Sequence, residues 1–147
     1  MRWTLFLSLG CLIFMANEAS ALEKKQLLYV GTQAGCNEGI ITLDQNFLNC
    51  TTAKFGYTID DADAKPEGNF IELFAGVTPT KNDGYVSPDR NHKNGATTSI
   101  GFLSVPAIPH GVRLYSGSQS DCNDGEATPN NMHKNCTTRE LGYALPK

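Results

Sequence analysis

CNEGIITLDQNFLNCTT at residues 36–52 and CNDGEATPNNMHKNCTT at residues 122–138 decide how this chain is read. Both segments set their cysteines fourteen positions apart, both open Cys-Asn-acid-Gly, and both end Asn-Cys-Thr-Thr. Extended outward, residues 27–57 align without a gap on residues 113–143, with fourteen identities in thirty-one positions. An internal duplication follows, and the two copies are expected to share one local structure.

In each copy a short apolar run, 27–30 or 112–115, leads into a glycine and then the Cys-Asn-acid-Gly turn, where glycine accepts positive φ. After the second cysteine, alternation places Phe55, Tyr57 and Ile59 on one face of a strand in the first copy, and Leu141, Tyr143 and Leu145 in the second. Each copy therefore reads as strand, clasped loop, strand. Between the copies, NFIELFAGV at 69–77 and TTSIGFLSVPAI at 97–108 read as two further strands for the middle of the sheets, with Pro106 and Pro109 breaking regularity after them. No stretch holds a helical period of useful length. The expected fold is all-β, a compact antiparallel β-sandwich or barrel with an internal duplication of a disulfide-clasped strand-loop-strand unit. Of the polar connections, 60–68 and 78–97, the second is long enough for a functional or mobile loop, or for a hairpin excursion with a short strand at Tyr85-Val86-Ser87.

The first 21 residues have the layout of a secretory signal peptide. Arg2 precedes an apolar run at 5–15 that is too short to span a bilayer, and Ala19-Ser20-Ala21 forms a small-residue exit. Its removal leaves residues 22–147, a length that suits one domain rather than two. Cys11 goes with it, so an odd five cysteines become an even four, which in an exported chain read as two disulfides. Four cysteines allow three pairings, and the duplication favours Cys36–Cys50 and Cys122–Cys136. Each closes a fifteen-residue loop, a constraint of about 3 kcal/mol in the chain-entropy picture. Lys24-Lys25 reads as a dibasic processing point or as part of a solvated tail. Without Arg2 and Glu18 the chain keeps 12 − 1 = 11 basic and 15 − 1 = 14 acidic residues, a net charge of −3. That balance gives no electrostatic footprint for nucleic acid or anionic membrane, and no later apolar run is long enough for an anchor.

Residues for chemistry are sparse. His92, His110 and His133 lack metal-ligand spacing, and no G-x-S-x-G turn occurs. Asp121, Asp124 and Glu126 could offer oxygens to a calcium ion, but the first copy matches them only with Glu38, so the cluster reads as a solvated loop; so do Asp60, Asp61 and Asp63. No catalytic residue, metal or cofactor is assigned. A small extracellular ribonuclease is the one enzyme reading with the right residue types: Glu72 as base, His110 as acid and Arg113 as phosphate clamp. Tyr29, Tyr57, Tyr115 and Tyr143 recur at matching places, where they serve a strand core or stack on sugars in a lectin-like module. Asn49-Cys50-Thr51 and Asn135-Cys136-Thr137 are N-glycosylation acceptors if the chain is exported.

The clasps differ in their middles. The first holds Ile40, Ile41, Leu43, Phe47 and Leu48; the second puts Glu126, Pro129, His133 and Lys134 opposite Ile40, Leu43, Phe47 and Leu48. So apolar a loop either packs on the core or meets a partner. In its signal peptide, dibasic pair, length and four cysteines, the chain resembles the small secreted effector or elicitor proteins of plant-associated fungi. That resemblance implies an extracellular, host-directed protein that acts by binding a protein or glycan, with plant immunity as a target. The expected product is a secreted, non-enzymatic interaction protein.

Overall fold

The structure, a computed structural model, describes residues 22–60 and 69–147. The signal-peptide reading of residues 1–21, together with Asp61 and Asp63, lies outside the described residues. The described residues form nine strands: β1 (Glu23–Gly31), β2 (Ile41–Thr42), β3 (Thr52–Asp60), β4 (Phe70–Gly76), β5 (Val86–Ser87), β6 (Thr97–Ser104), β7 (Val112–Gly117), β8 (Ala127–Thr128) and β9 (Thr138–Pro146). Between strands lie single 3₁₀ turns at Phe47–Asn49, His92–Asn94 and His133–Asn135. All named pairings are antiparallel. The all-β class expected from the sequence is therefore what the chain adopts, and both disulfides, Cys36–Cys50 and Cys122–Cys136, join residues with Cα atoms 6.5 Å apart.

The duplication is part of a triplication. Strands β4, β5 and β6 repeat the unit of β1–β3 and β7–β9, with the same 24-residue step from a buried leucine to the strand after the turn: Leu28 to Thr52, Leu73 to Thr97, Leu114 to Thr138. The segment 78–97 is thus no free-standing loop. It is the clasped loop of a middle repeat in which Lys81 and Gly95 stand where the other repeats have cysteines. Lys81 Nζ donates to Asn94 O at 3.4 Å across the same gap.

A shared polar frame explains why such different loop sequences take one shape. Asn37, Asn82 and Asn123 are all but inaccessible to solvent. Each accepts a backbone N–H from four residues earlier, at 3.2, 3.0 and 3.2 Å. Each Nδ2 also donates to two carbonyls, those of residues 47 and 51, 92 and 96, or 133 and 137, at 2.9–3.1 Å. The asparagine carbonyls press so closely on Gly31, Gly76 and Gly117 that a Cβ there would sit 1.8–2.0 Å from the oxygen, which only glycine permits. Downstream, the hydroxyls of Thr42, Ser87 and Thr128 accept from the N–H of residues 44, 89 and 130, and Thr52, Thr97 and Thr138 donate to carbonyls 45, 90 and 131. These local turns satisfy backbone groups that would otherwise lack partners.

The core gathers Leu28, Leu73 and Leu114, each with no exposed surface, around Ile41, Val86, Ala127, Ile100, Leu103, Leu141 and Ala144. Burial of each leucine contributes about 1.5–3 kcal/mol. The long hairpin strands do not keep the simple alternation that their sequence implies. Leu28 pairs with Gly56 and Tyr29 with Lys54, so Phe55 is an extra residue, and Ile100 and Leu141 are its counterparts. This bulge shifts the phase. Thr58, Leu103 and Ala144 become fully buried, while Tyr57 and Tyr143 are left half-buried beside Lys24 and Arg113. Lys24 itself belongs to β1, paired with Ile59, so this dibasic pair is an exposed strand end rather than a loose tail.

The three hairpins close on one another like the staves of a barrel. Ile59 of the first repeat pairs with Phe102 of the second, Ser104 of the second with Tyr143 of the third, and Leu145 of the third with Tyr57 of the first. These contacts use the same two positions each time, so the molecule has a pseudo-threefold axis.

Candidate functional site

The loops gather a second cyclic set of contacts. A Cβ on Gly84 would lie 2.8 Å from the Phe47 ring, one on Gly125 2.8 Å from His92 Nδ1, and one on Gly39 3.0 Å from His133 Nδ1. Each ring therefore rests on the glycine of the next repeat. All three glycines have φ of 75–81°, which favours glycine independently of the close approach.

Three positions on this constant frame vary, the first differing in all three repeats and the other two setting the first repeat apart. The first repeat has Ile40, Phe47 and Leu48; the second has Tyr85, His92 and Lys93; the third has Glu126, His133 and Lys134. The first set is apolar. In the second, the Lys93 ammonium lies 3.7 Å from the Tyr85 ring centroid, and Tyr85 meets Phe47 edge-on at 5.0 Å and His92 at 6.1 Å. In the third, Glu126 bonds His133 Nε2 at 3.0 Å and Lys134 Nζ at 2.9 Å. Burial pushes the Glu126 carboxyl up, but these two hydrogen bonds and the adjoining charges outweigh it, holding the group below the usual carboxylate value. Burial raises Tyr85, with the Glu126 charge adding to it, and burial lowers His92, helped by Lys93. His92 Nε2 is the one buried side-chain polar atom among the described residues with no hydrogen-bond partner. Its counterpart in His133 meets Glu126, whereas repeat two offers Tyr85 at that place.

Between neighbouring repeats run three polar grooves. The largest, about 660 Å³, lies between the second and third repeats, where Asp89, Asn91, Lys93 and Asn94 face Asp124 and Arg139, with His92 and Gly125 at its base. The groove between the third and first repeats, about 420 Å³, includes Glu38, Ile40, Met132 and Asn135. The one between the first and second, about 370 Å³, includes Asp44, Leu48, Lys81 and Asp83. Asp89, Lys93, Asp124 and Arg139 are all exposed, so the 660 Å³ groove offers both signs of charge to a ligand.

Set against these grooves, the sequence-derived candidates fare differently. Ile40, Ile41 and Phe47 are core residues at 4, 0 and 3% exposure, and Leu43 packs against the core. Apart from Leu48, half-exposed at φ 58°, the suggested partner-binding loop is internal, because its apolar side chains fill the space under the loop. Glu126 does not join Asp121 and Asp124 on a solvated acidic surface; it is buried and turned to His133. His92 and His133 are likewise buried, since they occupy the ring position of Phe47. Of the ribonuclease trio, Glu72 accepts from Ser99 Oγ at 2.7 Å, and Arg113 bonds Tyr143 Oη and approaches Glu140 at 3.7 Å. Among the described residues no hydrogen bond or ion pair joins Glu72, His110 and Arg113. The four recurrent tyrosines are half-buried rather than core. Asn49 and Asn135 are exposed. Groups of three or more potential metal ligands are absent among the described residues.

The groove between the second and third repeats was missed in the sequence because only two copies were legible there. Asn94 and Lys93 carried a signal in HKN at 92–94, repeated at 133–135. The chain matches no protein-family model, no characterised protein and no solved structure.

Proposed function

We propose that this is a secreted, non-enzymatic recognition module that holds its partner in the groove between the second and third repeats. One observation carries the reading: the three repeats share a hydrogen-bonded frame, while the side chain equivalent to Ile40 differs in every repeat, Phe47 and Leu48 set the first repeat apart from the His-Lys of the other two, and the three grooves have different linings. A constant frame with divergent grooves is the organisation of a binding scaffold. The two disulfides fit an oxidising compartment, which supports export. The third-repeat carboxylate and imidazole bind each other, and His92 Nε2 is buried, which favours binding over turnover.

The layout shared with small secreted effectors makes host plant tissue the first place to seek a protein partner, with an action on immunity. A glycan is the second reading, favoured by the carboxylates, amides and Ser118 hydroxyl along the groove. The purified protein, immobilised, is exposed to plant apoplastic extract and separately to a glycan array, beside a variant with Asp124→Asn and Arg139→Ala. Both positions are exposed, so the variant keeps its melting temperature. Capture lost in the variant supports the groove, and the arm that shows it names the partner class. Equal capture by both proteins overturns the assignment.

A further inference from the structure

The two N-glycosylation sequons and the place where a third is missing map onto the three grooves. Asn49, Asn94 and Asn135 are equivalent, each in the left-handed region at φ 57°, 53° and 56°. Asn94 lines the groove between the second and third repeats, and Asn135 lines the groove between the third and first. By the same symmetry Asn49 stands at the mouth of the groove between the first and second, next to Leu48, which lines it. Only Asn49 and Asn135 are followed by Cys-Thr; Asn94 is followed by Gly95-Ala96 and is no acceptor. Asn49 and Asn135 are exposed, and among the described residues no hydrogen bond engages either side-chain amide.

We propose that Asn49 and Asn135 carry N-linked glycans that cover two of the three inter-repeat grooves and leave the largest, beside the bare Asn94, as the one open to a ligand. This rests on the export and groove readings above. In the secretory pathway the donor is an oligosaccharide on a polyisoprenyl diphosphate. Nδ2 of the asparagine bonds to the anomeric carbon as the bond from that carbon to the diphosphate oxygen breaks. The diphosphate leaves with the electron pair and the amide nitrogen gives up one proton. Such a glycan is bulky and hydrophilic, and it excludes macromolecules from the surface around its anchor.

The test uses protein secreted through its own leader from a eukaryotic cell line. Glycopeptide mapping is expected to find Asn49 and Asn135 occupied and Asn94 bare; an unoccupied Asn49 or Asn135 overturns the proposal. Shielding is read by lysine acylation, comparing wild type with Thr137→Ala, which removes one sequon. The second repeat already has Ala96 at that place, so the frame accommodates alanine. Acylation of Lys134 is expected to rise in Thr137→Ala while that of Lys93 stays the same, and an unchanged Lys134 overturns the shielding. Ala96→Thr then creates the missing sequon. A glycan on Asn94 with an unchanged melting temperature and lost partner capture supports both proposals. With Asn49 and Asn135 occupied and Lys134 shielded, capture that survives a glycan on Asn94 overturns the groove assignment alone.

Discussion

Asn82→Ala tests the frame where no disulfide backs it up. In the folded protein Asn82 accepts the Thr78 N–H at 3.0 Å and donates to the carbonyls of His92 at 2.9 Å and Ala96 at 3.1 Å. Each such bond is worth about 1 kcal/mol net, and a buried group left without its partner costs more, so a loss of about 3 kcal/mol is expected. Ala96 is exposed and can turn its carbonyl to water, whereas the bond to the His92 carbonyl is buried. Against a typical domain stability of about 5–15 kcal/mol this is a large fraction. The assay is urea unfolding at pH 7 with disulfides intact, followed by far-ultraviolet circular dichroism, because the single tryptophan, Trp3, lies outside the described residues and reports on none of the three repeats. With an m-value near 2 kcal/mol/M, the midpoint falls by about 1.5 M. Asn37→Ala and Asn123→Ala remove the same three bonds and should cost the same. A loss below about 1 kcal/mol at Asn82, or a loss there with none at Asn37, would refute the idea that one asparagine frame holds all three repeats.

Other substitutions probe the divergent positions. His92→Phe installs the ring of Phe47 and removes the orphaned Nε2, so it should stabilise by about 1 kcal/mol at pH 7. His92 is lowered on folding, so the unfolded chain takes up more protons and wild-type stability declines as pH falls below the ordinary 6.5; the advantage of the variant should widen there, and a pH-independent difference would contradict this. Glu126→Gln breaks a buried ion cluster whose Lys134 end is 41% exposed, so about 2 kcal/mol should be lost at pH 7. Glu126 is lowered on folding, which places its contribution above the ordinary 4.5 and removes it as pH falls through the lower folded value; thermal melts of the two proteins should converge in acid. Replacing Cys36 and Cys50 together by serine should cost about 3 kcal/mol in urea unfolding, and the Cys122 and Cys136 pair the same. A marked inequality between the pairs would show that the clasps are not equivalent.

The two outer repeats were legible because cysteines punctuate them; the middle repeat was not, although Gly76, Asn82, Gly84, Asn94, Thr97 and Gly101 stand at the same spacings. Its loop is polar because its turns are built from asparagine, threonine and serine bonded to backbone. Composition therefore read as exposure where Asn82 is in fact buried. The bulge opposite Tyr29 depends on cross-strand register, which alternation along one strand does not contain. His133 was legible in one respect, since it aligns with Phe47. Its burial follows from that alignment and is tolerated because Glu126 reaches it.

The seating of each ring on the glycine of its neighbour fixes the number of repeats. In open arrays, units stack along a line and their ends need special caps. Here the third ring returns to the first repeat, so no unit is terminal. A two-repeat fragment would leave one ring without a glycine seat and one glycine without a ring, and a four-repeat chain would need a different angle at every seam. Removing any one repeat therefore breaks two seams at once, where removing the end unit of an open row would break one.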